Sequence, residues 1–216
     1  MSCVIYKDIP FPEFSAKEAL RYVGCKQQDH QLAHLASTCH GILKDNTSPK
    51  LCYLVCPLTV NGDTCTVLDT KIISHHLAKH LSGCHSVMLL GATLGSGADR
   101  MMARYSITPS KAVMLQAVAT AAVESVCDSF LHQYAQANGV SLRSRFSPGY
   151  GDLPLETQSV LFKLLDPKRI GLYLTDAFIL TPTKSVTAFV GIDACQNNEA
   201  QKNKCDGCTL LCGFRS

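Results

Sequence analysis

Three groups of residues have the types and spacing to do chemistry. The first is the run Arg145-Phe146-Ser147-Pro148-Gly149-Tyr150-Gly151-Asp152. Pro148 fixes φ and removes a donor, and Gly149 is free to take φ > 0, so the pair predicts a tight turn. Such a turn brings backbone N–H groups to a ligand, with a guanidinium on one side and a phenol on the other. The planar fork of Arg145 suits a carboxylate. The competing reading is a surface turn with a solvated Arg. The second group is the tail Cys205-Asp206-Gly207-Cys208-Thr209-Leu210-Leu211-Cys212, with Cys195 ten residues upstream as a fourth thiolate. Four thiolates suit tetrahedral zinc or an iron–sulfur cluster. The alternative is a peptide of reduced thiols. The third is Glu124, which interrupts the Ala/Val-rich stretch 117–126. A carboxylate buried there needs a partner, and a structural pairing with an Arg or an exposed edge would both satisfy it.

Weaker signals accompany these. His30/His34 and His76/His80 sit at helical i, i+4 spacing, but neither forms H-E-x-x-H and no third ligand is evident, so solvated or satisfied histidines are expected. The Gly-rich run 90–100 can cradle a phosphate at a helix start, yet it matches neither G-x-G-x-x-G nor the P-loop. Turn glycines or a cleft-lining loop fit equally well. No nucleophilic triad can be argued from residue order.

The first run resembles a known motif. R-F-S-P-G-Y is similar to the R-x-x-x-G-Y of the S-adenosylmethionine-binding activation domain of cobalamin-dependent methionine synthase. Leu174-Thr175-Asp176-Ala177-Phe178 and Ser185-Val186-Thr187-Ala188 resemble that domain's L-T-E-S-F and S-V-S-G segments, at nearly the same spacing. The similarity covers about 145–190 and is weak before it. The family domain continues further and supplies another cofactor-contacting Tyr, where this chain has its Cys-rich tail. The resemblance implies that Arg145 grips the carboxylate of S-adenosylmethionine, that Ser147, Gly149 and the adjoining backbone meet its polar groups, and that Tyr150 lines the pocket. It adds a further role for Glu124, facing the donor's amine or sulfonium. The activity it implies is remethylation of a reduced corrinoid on a cobalamin-dependent methyltransferase, as an accessory protein, with a flavodoxin- or ferredoxin-type electron donor. No D-x-H-x-x-G run is present, so the cobalamin is expected on a partner. The rival reading is a metal- or iron–sulfur-carrying electron-transfer or sensor protein built on the tail. The C-x-x-x-C-x-x-C signature of radical S-adenosylmethionine enzymes is absent.

These groups need a scaffold. The 216 residues, 46% hydrophobic and 17% charged, suit one domain with an appendage: 1–195 and a Cys-rich tail over 196–216. A net charge of +3 without a basic stripe argues against nucleic acid. No signal peptide pattern opens the chain, and the longest apolar tract, 112–123, is too short for a bilayer, so a cytoplasmic, non-membrane protein is expected. Most of the twelve cysteines are single and in apolar context; Cys25, Cys39, Cys52, Cys65, Cys84 and Cys127 read as small buried hydrophobes.

Ser15 and Glu18 form a capping box that predicts a helix over 16–23. A second helix is expected over 27–44. A strand over 51–60 meets Asn61-Gly62, a hairpin signal, and returns over 64–68. A helix over 74–82 and a buried strand over 86–91 follow. Ser110 is read as the cap of a long helix ending at Asn138-Gly139, and a helix over 155–165 stops at Pro167. Strands are expected over 172–180 and 185–192. The mixture is α+β, and the resemblance implies an antiparallel sheet with flanking helices.

Overall fold

A computed structural model describes residues 3–13, 15–24 and 30–194. Seven strands form one antiparallel sheet in the order β4-β3-β2-β5-β9-β6, with β1 paired to β2 as well. The centre is the long strand β2 (Lys50–Asn61), flanked along one edge by β5 (Ser86–Thr93). Its other edge is shared. β1 (Ile5–Asp8) takes the first part and β3 (Thr64–Val67) the last. β9 (Ser185–Ala194) runs the length of β5, and β6 (Val140–Leu142) closes the far side. β4 (Thr70–Ile73) lies outside β3.

Both faces of the sheet are covered, which explains why β5 reads as continuous apolar sequence rather than alternation. Side chains of period 2 separate the faces. Leu51, Tyr53, Met88, Leu90 and Val190 pack with Cys127 and Phe130 of α5 (Pro109–Asn138). Cys52, Leu54, Val87, Leu89 and Phe189 pack with Leu161 and Leu165 of α6 (Gln158–Leu165) and with Leu77 of α3 (His75–His80). Beyond α5 lies a helical layer: α1 (Ala16–Val23), α2 (His30–Asn46) and α4 (Ser96–Arg104) contribute Leu20, Leu43 and Ala98 against Met114, Leu115 and Val118. Helix α5 is thus sandwiched, and its near-uniform apolarity follows. It is long and apolar enough to cross a membrane, but most of that stretch is buried within the fold.

The local chemistry matches the expected elements closely in places. Ser15 accepts from the Glu18 N–H, and Gly24 ends α1 in the left-handed region. The β2–β3 hairpin pairs Asn61 with Thr64, so its loop is Gly62-Asp63 with Gly62 at φ 56, one residue beyond the Asn-Gly centre.

Two expectations are corrected. The long helix starts at Pro109 with Thr108 as its cap position, not at Ser110, because Pro is preorganised for the first helical position. The strand expected over 172–180 is a small hairpin, β7 (Tyr173–Leu174) and β8 (Leu180–Thr181). The Thr175 hydroxyl accepts from Ile179 N–H and Phe178 takes φ 58, so turn chemistry overrides the apolar run. Of the readings open for the Gly-rich run, glycines with a structural purpose are what two positions display. Gly91 lies in β5 and Gly97 opens α4, where an added Cβ would stand 1.8 Å from the Asn46 carbonyl oxygen. Close approach of α4 to the end of α2 is what requires glycine there.

Candidate functional site

The segment after β6 runs antiparallel to β9. Arg143 N–H bonds to Gly191 O, and Phe146 and Phe189 exchange both backbone bonds at 2.9 and 2.8 Å. Neighbouring side chains therefore point to opposite sides. Phe146 joins the α3/α6 cluster, and Arg145 turns to α5.

Arg145 is not a solvated arginine. Its side chain is 9% exposed and its guanidinium holds two carboxylates, Glu124 and, at 3.0 Å, Asp128. A further N–H reaches the Glu124 carbonyl oxygen at 3.4 Å. Burial alone would weaken the charge, but the facing Cys127 thiol and the two carboxylates outweigh it and raise the Arg145 pKa. Glu124 and Asp128 are one helical turn apart, so both lie on the α5 face that meets this segment. Of the readings open for Glu124, pairing with an arginine is what the structure displays. Asp128 is a residue that sequence reasoning missed; its i, i+4 spacing from Glu124 was the available signal.

The glycine turn follows. Gly149 takes φ 90 and Gly151 φ 59, with Tyr150 N–H bonded to Ser147 O and Gly149 N–H to Leu153 O. Ser147 is partly buried, Pro148 is buried and Tyr150 is 60% exposed. Asp152 then locks the turn to α3. Its carboxylate accepts from the Ser74 hydroxyl at 2.5 Å, from His75 N–H at 2.7 Å and from His76 N–H at 3.1 Å. It thereby satisfies amides at the start of α3 that have no helical partner. These bonds, the Ser74 hydroxyl first, hold the Asp152 pKa down to about 2.

The structure thus gathers Arg145 with Glu124, and Ser147, Gly149 and Tyr150 with one another. Cys195, Cys205, Cys208 and Cys212 lie outside the described residues, as does Cys25. Among the described residues no group of three or more His, Cys, Asp or Glu is placed to hold a metal ion. His76 and His80 instead make contacts with the site segment. Cys39, Cys52, Cys65, Cys84 and Cys127 are buried and free, and Cys56 joins them. Burial pushes Cys52 up to about 12 and Cys56 and Cys65 to about 11, as for inert core thiols.

No family model matches the sequence, and no curated protein matches it. A solved structure shares the fold: the crystal structure of the MetH reactivation domain bound to AdoHcy, with a TM-score of 0.61, 14% identity, and coverage of 92% of this chain and 81% of that one. The α+β class, with an antiparallel sheet and flanking helices like those of the methionine synthase activation domain, is therefore the fold of this protein.

Proposed function

We propose that the chain binds S-adenosylmethionine at the Arg145–Tyr150 segment and supports reductive reactivation of a cobalamin-dependent methyltransferase, acting in trans. The observation that carries the reading is the guanidinium of Arg145, buried yet bordered by carboxylates that are a third and a half exposed, in the same segment as a glycine turn. An α-amino acid terminus presents a carboxylate and an ammonium. The ligand carboxylate would take the Arg145 fork in exchange for Glu124 and Asp128, which now occupy it, and a displaced carboxylate would supply the counter-charge for the ammonium. Gly149 takes φ 90, which glycine adopts without strain, and so shapes the turn that would meet the ligand. The likeness to an AdoHcy-bound domain supports the same ligand class.

Bound S-adenosylmethionine supplies an electrophilic methyl group, whose transfer to a reduced corrinoid makes an unfavourable reduction irreversible. The part of this chain is to bind and orient. Arg145 fixes the amino acid end, the turn fixes the rest, and exposed Tyr150 faces outward where a corrinoid-bearing partner would dock. The test mixes this protein, S-adenosylmethionine, a strong reductant and an inactive cobalt(II) corrinoid protein, and follows the methylcobalt spectrum. Methylation that depends on this chain is expected. Equal methylation without it refutes the reading.

A further inference from the structure

Away from the Arg145 segment, a groove opens between β1 and the last turns of α5. Val4 and Tyr6 pack into the α3/α6 cluster, so Ile5 and Lys7, which alternate with them, stand on the sheet face that meets α5. With Tyr53 of β2 and Phe130, Tyr134 and Ala137 of α5 they line a depression of about 480 Å³, well inside the range of about 300–1,000 Å³ in which ligands are taken up. Its floor is aromatic. The Tyr53 ring lies 5.0 Å from Phe130 and 5.7 Å from Tyr134. The Lys7 ammonium stands over the Tyr53 and Phe130 rings, 5.9 and 5.7 Å from their centroids, and Ile5 is 42% exposed at the rim. Among the described residues no strand pairs with the outer edge of β1. An apolar, aromatic floor beside an open sheet edge is a docking surface.

We infer that this groove seats the chain's own C-terminal segment, with Leu210, Leu211 and Phe214 as the side chains that enter it. Residues 195–216 lie outside the described residues, but the point from which they start is fixed. Ala194 pairs with Val140, two residues past Asn138, and Asn138 lines the groove. A strand spacing and two residues of chain separate them, roughly 12 Å. Leu210 follows Ala194 by sixteen residues, a reach of up to about 50 Å. Composition singles out the same residues. From Gln196 to Lys204 there is no large apolar side chain, whereas Leu210, Leu211 and Phe214 fall within five positions. Phe214 can meet the floor rings edge to face, and the leucines cover the rest. A tether of this length holds the segment at the groove at a concentration on the order of millimolar, which a separate peptide would have to match. Docking also brings the tail thiols beside Cys3, which lines the groove and is exposed where the other described cysteines are buried.

The inference is independent of the ligand assignment. The chain has no tryptophan, so Phe214→Trp in the full protein makes a single reporter. Its emission should be blue-shifted, and its quenching by acrylamide several-fold weaker, relative to a peptide of residues 205–216 carrying the same substitution. Adding Ile5→Asp or Ala137→Arg, one exposed position on each wall, should return both readings to those of the peptide while circular dichroism stays that of the parent. A second measurement needs no tryptophan. A short bis-maleimide on the reduced wild type should join Cys3 to Cys212 in preference to Cys205, read by peptide mass spectrometry of the monomer. An indole as exposed as in the peptide, burial that survives both groove substitutions, or cross-links spread evenly over the tail cysteines overturns the inference. So does burial that grows with protein concentration alongside dimers in sedimentation, since the occupant is then the tail of a second copy.

Discussion

Replacing Arg145 by Ala tests the centre of the site from two directions. In the folded chain the change strands Glu124 and Asp128, two like charges four residues apart on α5, and removes the donor to the Glu124 carbonyl. Breaking a fully buried pair typically costs about 3–5 kcal/mol. The carboxylates here are 33% and 49% exposed, so water screens part of the loss. The cost should be about 1–3 kcal/mol, or roughly 2–12 °C in Tm for a chain of this size. Adding Glu124→Gln and Asp128→Asn removes the repulsion and should restore part of it. Binding of S-adenosylmethionine should fall further than stability explains, by about 2–4 kcal/mol, which is tens- to hundreds-fold in affinity. Arg145→Lys keeps the charge without the fork and should also bind poorly. Thermal unfolding and calorimetry on the same samples measure both. An Arg145→Ala protein with wild-type Tm refutes the buried-cluster argument, and one with wild-type affinity refutes the ligand assignment.

Three more outcomes are expected. Asp152 has its pKa depressed in the folded chain, so its stabilising effect is present above about pH 4 and is lost as pH falls toward 2; Asp152→Asn should lower Tm at neutral pH and flatten the acid limb of a Tm–pH profile, and an unchanged profile would show that α3 does not depend on this cap. Gly97→Ala forces a methyl onto the Asn46 carbonyl and should destabilise by about 1–3 kcal/mol in denaturant titration, whereas near-neutral behaviour would show that α4 can retreat from α2. The C-x-x-C-x-x-x-C tail predicts zinc or iron by elemental analysis of anaerobically purified protein, lowered by Ser at Cys205, Cys208 or Cys212; metal-free wild type would dispose of the cluster-carrying alternative.

Long elements with local punctuation were legible from the sequence: the capping box at Ser15, the glycine stop after Asn138 and the β2–β3 hairpin all stand where residue chemistry put them. The short edge strands β1, β4 and β6 were not, because a three- or four-residue strand carries too little pattern and is defined by its neighbour. The site divides in the same way. The Pro-Gly turn follows from residue types within eight positions, whereas for Arg145 those types alone left a solvated surface arginine open. The partners do not follow from them, since Asp128 reaches Arg145 only when α5 packs beside the segment, and Ser74 reaches Asp152 across 78 positions. The Gly-rich run stayed open in the sequence because a glycine needed for helix packing reads the same as one needed for an anion.

The fastening of Phe146 to Phe189 has a kinetic consequence. β9 reaches its place only by pairing with β5, Ser86 against Ile192, across on the order of a hundred intervening residues, and such non-local pairings form late in folding. The segment bearing Arg145 has no strand to lie against until then. During synthesis the helical layer and the β2–β5 pairing come off the ribosome first, and the glycine turn is registered by the last described strand. A chain that stops short of β9 would keep its motif and most of its core residues, and would still lack the edge that gives the motif its shape.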